Sequence, residues 1–410
     1  MSESAPVVHV RAIAAGGDGV ATLGDGRTVF VPRAAPGDEL RLHNVRTHAR
    51  FARADIAEIL VPGPDRVRPP CRHYLADRCG GCQVMHLSPA AQRRAKARIA
   101  GDALRRIAHV DVSDPDVVAS PHELGYRTKV TFAMQQGRLG LHRLGDPAYV
   151  FDVRECLIAD PELRRLHAAV RDARGLLPQD DARVVLRLDR ERGRHVIVRT
   201  GTGDVWNGGK PLHQALQRAG IAAVVWWHPE GGNARAVAGA ADPWPATVFE
   251  QVHPAVGAMV RHAALDALGD VGGQQVWDLY AGIGESTVGL VERGAKVASV
   301  ESDPRAVQVA DAAGPIGPRR ITGRVEDVAA TLPTPDAIIT NPPRVGMAER
   351  ATDIVKKSGA TRIAYISCDA ATLARDIQRL GSAYQLRQLQ AFDQFPQTAH
   401  LESVALLALG

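Results

Sequence analysis

From about residue 270 to the C-terminus, short apolar runs alternate with helical runs, the pattern of a doubly wound α/β domain. Val276-Trp-Asp-Leu-Tyr280 reads as a buried strand, followed by Ala281-Gly-Ile-Gly284 and a helical stretch. Lys296-Val-Ala-Ser-Val-Glu301, Asp336-Ala-Ile-Ile-Thr340, Arg362-Ile-Ala-Tyr-Ile366 and Val404-Ala-Leu-Leu-Ala-Leu409 supply further strands. In such folds a ligand sits outside the carboxyl ends of the strands. The residues directly after each strand are therefore the ones to read for chemistry.

Asp278-Leu-Tyr-Ala-Gly-Ile-Gly284 lies at the first of these ends. Gly282 and Gly284 allow a tight turn and a close backbone approach to a ligand. Glu301 ends the next strand, where a carboxylate accepts ribose hydroxyls. A dinucleotide fingerprint needs a third glycine, and position 287 is Thr. The expected cofactor is therefore S-adenosylmethionine rather than NAD. Asn341-Pro-Pro-Arg344 follows the strand Asp336–Thr340, and its two prolines make a rigid, extended loop.

The rest of the chain is organised differently. With 410 residues it exceeds one ordinary core, so two or three domains are expected. Val7–Ile13, Thr28–Pro32 and Asp38–Leu42 read as short strands separated by Gly16-Gly-Asp-Gly19, Gly24-Asp-Gly26 and Pro36-Gly37, the pattern of a small β-barrel. Residues 62–70, rich in Pro and Arg, read as a linker. Ser88-Pro89 opens a helix carrying Arg93, Arg94, Lys96, Arg98, Arg105 and Arg106. Residues 110–250 are strand-rich. The expected division is 1–62, 63–250 and 251–410, with the helix near 88–108 packing on the last of these. The net charge of +5 permits a nucleic-acid partner without requiring one. No apolar run has the length of a membrane helix and no secretory signal is visible, so no membrane partner and a cytoplasmic location are expected.

Five cysteines divide into a group and a remainder. Cys71, Cys79 and Cys82 lie close together in sequence, Cys156 stands alone, and Cys368 lies beyond the glycine loop. Four thiolates suffice for an iron–sulfur cluster, leaving the fifth as a nucleophile. Zinc remains an alternative through His73 and His86, although only one Cys-x-x-Cys knuckle is present.

These motifs, in this order, resemble the RNA 5-methyluridine methyltransferases: the Cys-x-x-Cys after a small N-terminal domain, Asp278-Leu-Tyr-Ala-Gly-Ile-Gly284, Asn341-Pro-Pro-Arg344, Ser367-Cys-Asp-Ala-Ala-Thr-Leu-Ala-Arg-Asp376 and His400-Leu-Glu402. Gly125-Tyr-Arg-Thr-Lys129 and Leu139-Gly-Leu-His-Arg-Leu144 resemble the family's central segment. The resemblance implies a multidomain α+β protein. It would have an OB-like TRAM barrel, a strand-rich central domain with a [4Fe–4S] cluster on Cys71, Cys79, Cys82 and Cys156, and a Rossmann-like methyltransferase domain. It also implies that Gln251, Tyr280, Glu301 and Asn341, with Gly282 and Gly284, bind S-adenosylmethionine. The family commonly has Asp where Asn341 stands.

The implied reaction is methylation of uracil C5 in RNA. Cys368 adds to C6, turning C5 into a nucleophile, and Glu402 removes the C5 proton after methyl transfer. A thiolate is needed, so positive charge such as Arg344 is expected to lower the Cys368 pKa. Members with both a TRAM domain and a cluster are similar to the 23S rRNA enzymes, which makes ribosomal RNA the expected substrate, with tRNA as the alternative. A monomer is expected. Two other classes compete. An exocyclic-amine methyltransferase would use Asn341-Pro-Pro but needs no cysteine and an aromatic residue where Arg344 stands. A non-catalytic RNA-binding or ribosome-assembly factor would bind RNA without a cofactor.

Overall fold

A computed structural model describes residues 5–201, 205–240 and 248–410. The chain divides into two units. The first combines Met1–Arg68, Gln83–Pro121 and Ala255–Gly410, and the second combines Pro69–Cys82 with His122–Pro254. Residues 83–121, which include the helix expected to pack on the catalytic domain, group with the C-terminal α/β residues.

In the first unit, residues 7–61 form a six-stranded sheet. Its order is Val7–His9, Glu39–Thr47, Phe51–Val61, Thr28–Val31, Gly19–Thr22, Ala12–Ile13. The expected strand Val7–Ile13 is split, and its two pieces form the opposite edges of the sheet. Only Val10 and Arg11 separate them, so the sheet curls until its edges meet. Val8, Val29, Val31, Leu40, Leu42 and Ala52 fill the interior. Residues 62–70 are not a free linker. Asp38, fully buried, accepts hydrogen bonds from Ala35 N at 2.6 Å, Gly63 N at 2.8 Å and Arg66 Nε at 2.9 Å. The Arg66 guanidinium and the two amides hold the Asp38 carboxyl below its ordinary pKa against the opposing effect of burial, which is the larger single influence.

The C-terminal part carries an eight-stranded sheet. Its order is Arg319–Thr322, Lys296–Glu301, Gln275–Leu279, Ala337–Thr340, Arg362–Ser367, Glu402–Leu409, Tyr384–Phe392, Val117–Val118. The first five strands run parallel, and Glu402–Leu409 runs antiparallel to Arg362–Ser367. The chain builds outward from Gln275–Leu279, then returns to place Ala337–Thr340 on its other side. That reversal opens a crevice at the strand ends, where α/β proteins bind ligands. Tyr280 and Asn341 are the first residues past these two strands.

The helix Pro89–Ala103 begins as expected, with Ser88 Oγ accepting from Ala91 N at 3.3 Å. Its expected basic face is largely spent on internal partners. Lys96 is 1% exposed and forms a buried ion pair with Asp393, and also donates to Phe395 O at 3.0 Å. Arg94 pairs with Asp65, while Arg98, Arg105 and Arg106 surround Asp102. Periodicity could not reveal this, because the acidic partner of Lys96 lies almost three hundred positions away in sequence.

The second unit is a seven-stranded sheet. Its order is Asp146–Asp152, Arg138–Arg143, Lys129–Gln135, Ala182–Leu188, Arg194–Thr200, Val224–Pro229, Arg235–Ala238. Helices Pro161–Asp172 and Gly209–Arg218 cover one face, packing Leu163, Leu166 and Leu212 against Phe132, Val184 and Val196.

Candidate active site

Tyr280 has φ 61°, the left-handed region that L-residues other than Gly rarely adopt. Gly282 (φ 56°) and Gly284 (φ 82°) continue that geometry, and Gly284 stands at the N-cap of helix Glu285–Glu292. Glu301 fixes the loop. Its Oε2 accepts from Gly282 N at 2.9 Å, and its Oε1 accepts from Asp303 N at 2.8 Å and Ser302 Oγ at 3.1 Å. A carboxylate has about four acceptor positions. One remains open here, and a second becomes available if the exposed Ser302 hydroxyl yields. The expected grip on two ribose hydroxyls therefore requires Ser302 to turn away. A pocket beside the loop is lined by Ala281, Gly282, Gly284, Glu301, Ala310 and Ile321.

Thr287, where a dinucleotide fold would have its third glycine, is fully buried and donates to Asp278 Oδ2 at 2.6 Å. Burial, with the Glu301 charge adding to it, pushes the Asp278 carboxyl up to about 7. Sequence reasoning used Thr287 only as a missing glycine. The polar Thr at a core position, nine residues after a buried strand Asp, was the available signal. Asn341 is half-buried, and its backbone N donates to Leu279 O at 3.2 Å. Gln251, the remaining residue that the resemblance assigns to the cofactor, is half-buried in the second unit. Its neighbourhood is fixed there: Glu250 pairs with Arg187 and Arg190, and Val252 O accepts from Thr128 N at 2.9 Å.

Cys368 follows the strand Arg362–Ser367 and precedes Asp369, whose side chain caps helix Ala370–Leu380 by accepting from Thr372 N at 2.9 Å. Ser367 pairs with Ser403 on the antiparallel neighbour, so the register carries Cys368 to the level of Glu402. The two groups interact electrostatically, and Arg344 acts on both. Glu402 is 2% exposed. Burial pushes its carboxyl up to about 8, with Arg344 opposing. Burial first, then the Glu402 charge, pushes the Cys368 thiol up to about 11, and Arg344 again opposes. This corrects the expectation of a lowered thiol pKa. The arginine acts in the expected direction, but loss of hydration and a neighbouring carboxylate outweigh it.

Two further groups hold this arrangement: Asp376 was expected only as a motif position, and Asp393, expected with Gln394 to line the site, is bound to Lys96 instead. Asp376, fully buried on the helix after Cys368, accepts from Met347 N and Tyr365 Oη, both at 2.7 Å. Arg375 donates to Val345 O at 2.7 Å and to Asp376. The helix thus anchors the loop that carries Arg344. Asp393, bound to Lys96, and Gln397, which exchanges two hydrogen bonds with Gln92 (3.0 and 2.8 Å), fix the loop leading to Glu402. Removing one member of a buried pair such as Lys96–Asp393 typically costs about 3–5 kcal/mol, because the other charge is left buried and alone.

The cysteines of the second unit form a separate group. None is in a disulfide. Cys79 belongs to the apolar core, with Cys156 packed against the same cluster. Burial, then the charges of Cys156, Cys79 and Cys71, raise the Cys82 thiol well above its ordinary value, so the four sulfurs lie within electrostatic reach of one another. Gly81 N donates to Cys79 Sγ at 3.4 Å. Among the described residues no three His, Cys, Asp or Glu side chains converge to hold a single metal ion. His73, kept as a zinc alternative, uses both ring nitrogens: Nδ1 with Asp77 at 2.7 Å and Nε2 accepting from Arg154 N at 3.0 Å. His86 lies in the first unit. No helix among the described residues is long and apolar enough to cross a membrane.

Comparison with known proteins gives a consistent picture. Residues 314–409 match the family model described as tRNA (Uracil-5-)-methyltransferase. Over 98% of its length the chain is 32% identical to a 23S rRNA (uracil(1939)-C(5))-methyltransferase RlmD of Chromohalobacter salexigens, covering 88% of that protein. It is 29% identical to the protein of the same name from Thiobacillus denitrificans, over 98% of this chain and 99% of that one. The structure is similar to that of the Pyrococcus abyssi tRNA (uracil-54, C5)-methyltransferase in complex with S-adenosyl-L-homocysteine, with a TM-score of 0.73 at 20% identity, covering 99% of this chain and all of that one. At that identity the likeness establishes the fold, including its Rossmann-like part.

Proposed function

The chain belongs to the RNA uracil-C5 methyltransferase family, S-adenosylmethionine-dependent enzymes, and we propose that it methylates uracil C5 in 23S rRNA through a covalent bond from Cys368 to C6. The observation that carries the mechanism is the register that brings Cys368 level with Glu402, with Arg344 acting on both. The choice of 23S rRNA rests on what the full-length relatives are named for. A tRNA substrate, as named for the structural neighbour, is the second reading.

Uracil C5 is a weak nucleophile. Addition of the Cys368 thiolate to C6 places an electron pair at C5. S-adenosylmethionine supplies an electrophilic methyl on a cationic sulfur. The C5 pair forms the new C–C bond as the methyl–sulfur bond breaks. Glu402 then takes the C5 proton, the C5–C6 double bond re-forms, and the S–C6 bond breaks to return the thiolate. A carboxyl held near 8 is well matched to that proton transfer. The high thiol pKa, reached despite Arg344, means that the free protein keeps Cys368 neutral at pH 7, so the thiolate forms only when bound substrates change its surroundings. For the cofactor we assign Tyr280, Gly282, Gly284, Glu301 and Asn341 at the crevice. The target base must leave its stack to expose C5 and C6, and the N-terminal sheet is read as a TRAM-type RNA-binding domain.

We assign Cys71, Cys79, Cys82 and Cys156 to a [4Fe–4S] cluster. The supporting observations are four free thiols within electrostatic reach and an amide directed at Cys79 Sγ. In a four-iron cluster each thiolate binds its own iron, so the sulfurs need not converge on one point as they do around zinc. Protein isolated without oxygen is expected to show broad visible sulfur-to-iron absorption, lost in Cys79→Ser. A colourless protein with stoichiometric zinc would overturn the assignment.

The reaction itself is tested with RNA containing 5-fluorouridine. Fluorine cannot leave as a proton, so the enzyme stalls as the Cys368–C6 adduct. A denaturation-resistant protein–RNA band that requires S-adenosylmethionine is expected with rRNA. Its formation with tRNA alone would move the substrate to the second reading.

A further inference from the structure

One face of the seven-stranded sheet in the second unit is covered by helices. Strand alternation puts the other inward-outward set on the opposite face. One row across it runs Gly140, Ala133, Arg183, Arg199, His228, each directly opposite the next. Further along the same strands, and on the same face, a second row runs Lys129, Arg187, His195. Basic side chains therefore stand directly opposite each other in both rows.

The second row is compensated: Arg187 binds Glu250, and His195 contacts Asp189 at 2.9 Å. Among the described residues the two arginines of the first row are not. Arg183 and Arg199 are exposed, and neither has a carboxylate partner among the described residues. Other arginines of this unit do: Arg164 binds Glu155, Arg171 binds Asp152, Arg192 binds Asp160 and Arg194 binds Glu162. Partial loss of hydration first, then the charge of Arg183, holds the Arg199 guanidinium below its ordinary pKa. Like charges directly opposite destabilise a sheet, so the pair costs stability until an anion joins it. Gly140 and Ala133 beside it are small. A Cβ at Gly140 would lie 1.7 Å from Phe151 O, so no side chain fits at that end of the row.

We infer that Arg183 and Arg199 together seat a phosphodiester of the RNA substrate, away from the nucleotide being methylated. The inference rests on the reading of RNA as substrate. Two adjacent guanidinium forks match the oxygens of a phosphate, and a contact of this kind positions the RNA without reading its sequence. The cross-strand repulsion is relieved when the anion arrives.

The test uses the full chain, bulk rRNA as probe, and the variants Arg183→Gln, Arg199→Gln and both together. The double variant is expected to flatten the dependence of log binding constant on log salt by about 0.7 to 1. It should raise the KM for RNA about tenfold, with kcat at saturating RNA and S-adenosylmethionine binding unchanged. The Tm of the free protein is expected to stay or rise, and the double Arg→Lys variant should keep most of the salt slope. An unchanged slope and KM would overturn the inference. So would a fall in Tm accompanied by equal loss of cofactor binding, the result of a structural role. The RNA-methylation reading fails separately, if the wild type methylates no RNA offered. The salt slope still judges the arginine pair in that case.

Discussion

Replacement of Cys368 by alanine is expected to lower the methylation rate by at least about 10,000-fold, because the reaction then has no route to a nucleophilic C5. The residue is half-buried at a strand end, and alanine leaves only a small gap there. Folding, cluster content and S-adenosylmethionine affinity should therefore stay near wild type. The measurement is single-turnover methyl transfer to rRNA from radiolabelled S-adenosylmethionine, with the 5-fluorouridine adduct followed in parallel. Loss of both signals identifies the nucleophile. Retained methylation would remove the covalent mechanism and favour transfer to an exocyclic amine, which needs no thiol.

Glu402→Gln separates the second half of the reaction from the first. Loss of a positioned base is expected to slow turnover by about 100- to 10,000-fold. The amide can neither take the C5 proton nor repel the thiolate. Methyl transfer should go on once, and the methylated RNA should remain attached to Cys368 without any fluorinated base. A denaturing gel with ordinary rRNA reads this directly. Absence of the trapped species, with turnover intact, would assign the proton to another group.

The same residue gives a pH signature. Glu402 holds its proton up to about 8 in the folded protein, against an ordinary value of 4.5. Between these values the unfolded chain binds fewer protons than the folded one, so this group's contribution to stability falls as pH rises from about 4.5 to about 8. Turnover runs the other way, because the base must be ionised, and should increase as pH approaches 8. In Glu402→Gln both slopes should flatten. Its thermal midpoint at neutral pH should exceed that of wild type, since a buried ionisable group has been replaced by a neutral one.

The contrast between Cys368 and Lys96 shows how far sequence could reach. Cys368 was legible because strand, strand end and helix start are all local: the apolar run Arg362–Ile366 ends at Ser367, and Asp369 caps the helix Ala370–Leu380. Lys96 looked like one member of a basic helix face, yet it is buried against Asp393. Asp38 was equally unreadable, an acidic residue after a turn that organises the segment taken for a linker. In each case the deciding partner is distant in sequence, and no periodicity encodes it. The Cys368 pKa belongs to the same class. Sequence supplied the arginine, but burial and the antiparallel placement of Glu402 set the direction.

The sequence by itself determined the order of elements, the strand–glycine–helix loop at 278–284, the N-cap at Ser88 and the identity of the residues at the strand ends. These arise from side-chain periodicity, backbone freedom and capping, all short-range properties of the chain. Tertiary structure alone decided that the Val7–Ile13 segment would be divided between two sheet edges and that Val117–Val118 would join the C-terminal sheet. It also set Cys368 level with Glu402, and Arg183 opposite Arg199. Register and burial come from packing the whole chain at once, and they fix which charges meet and how much water each one loses.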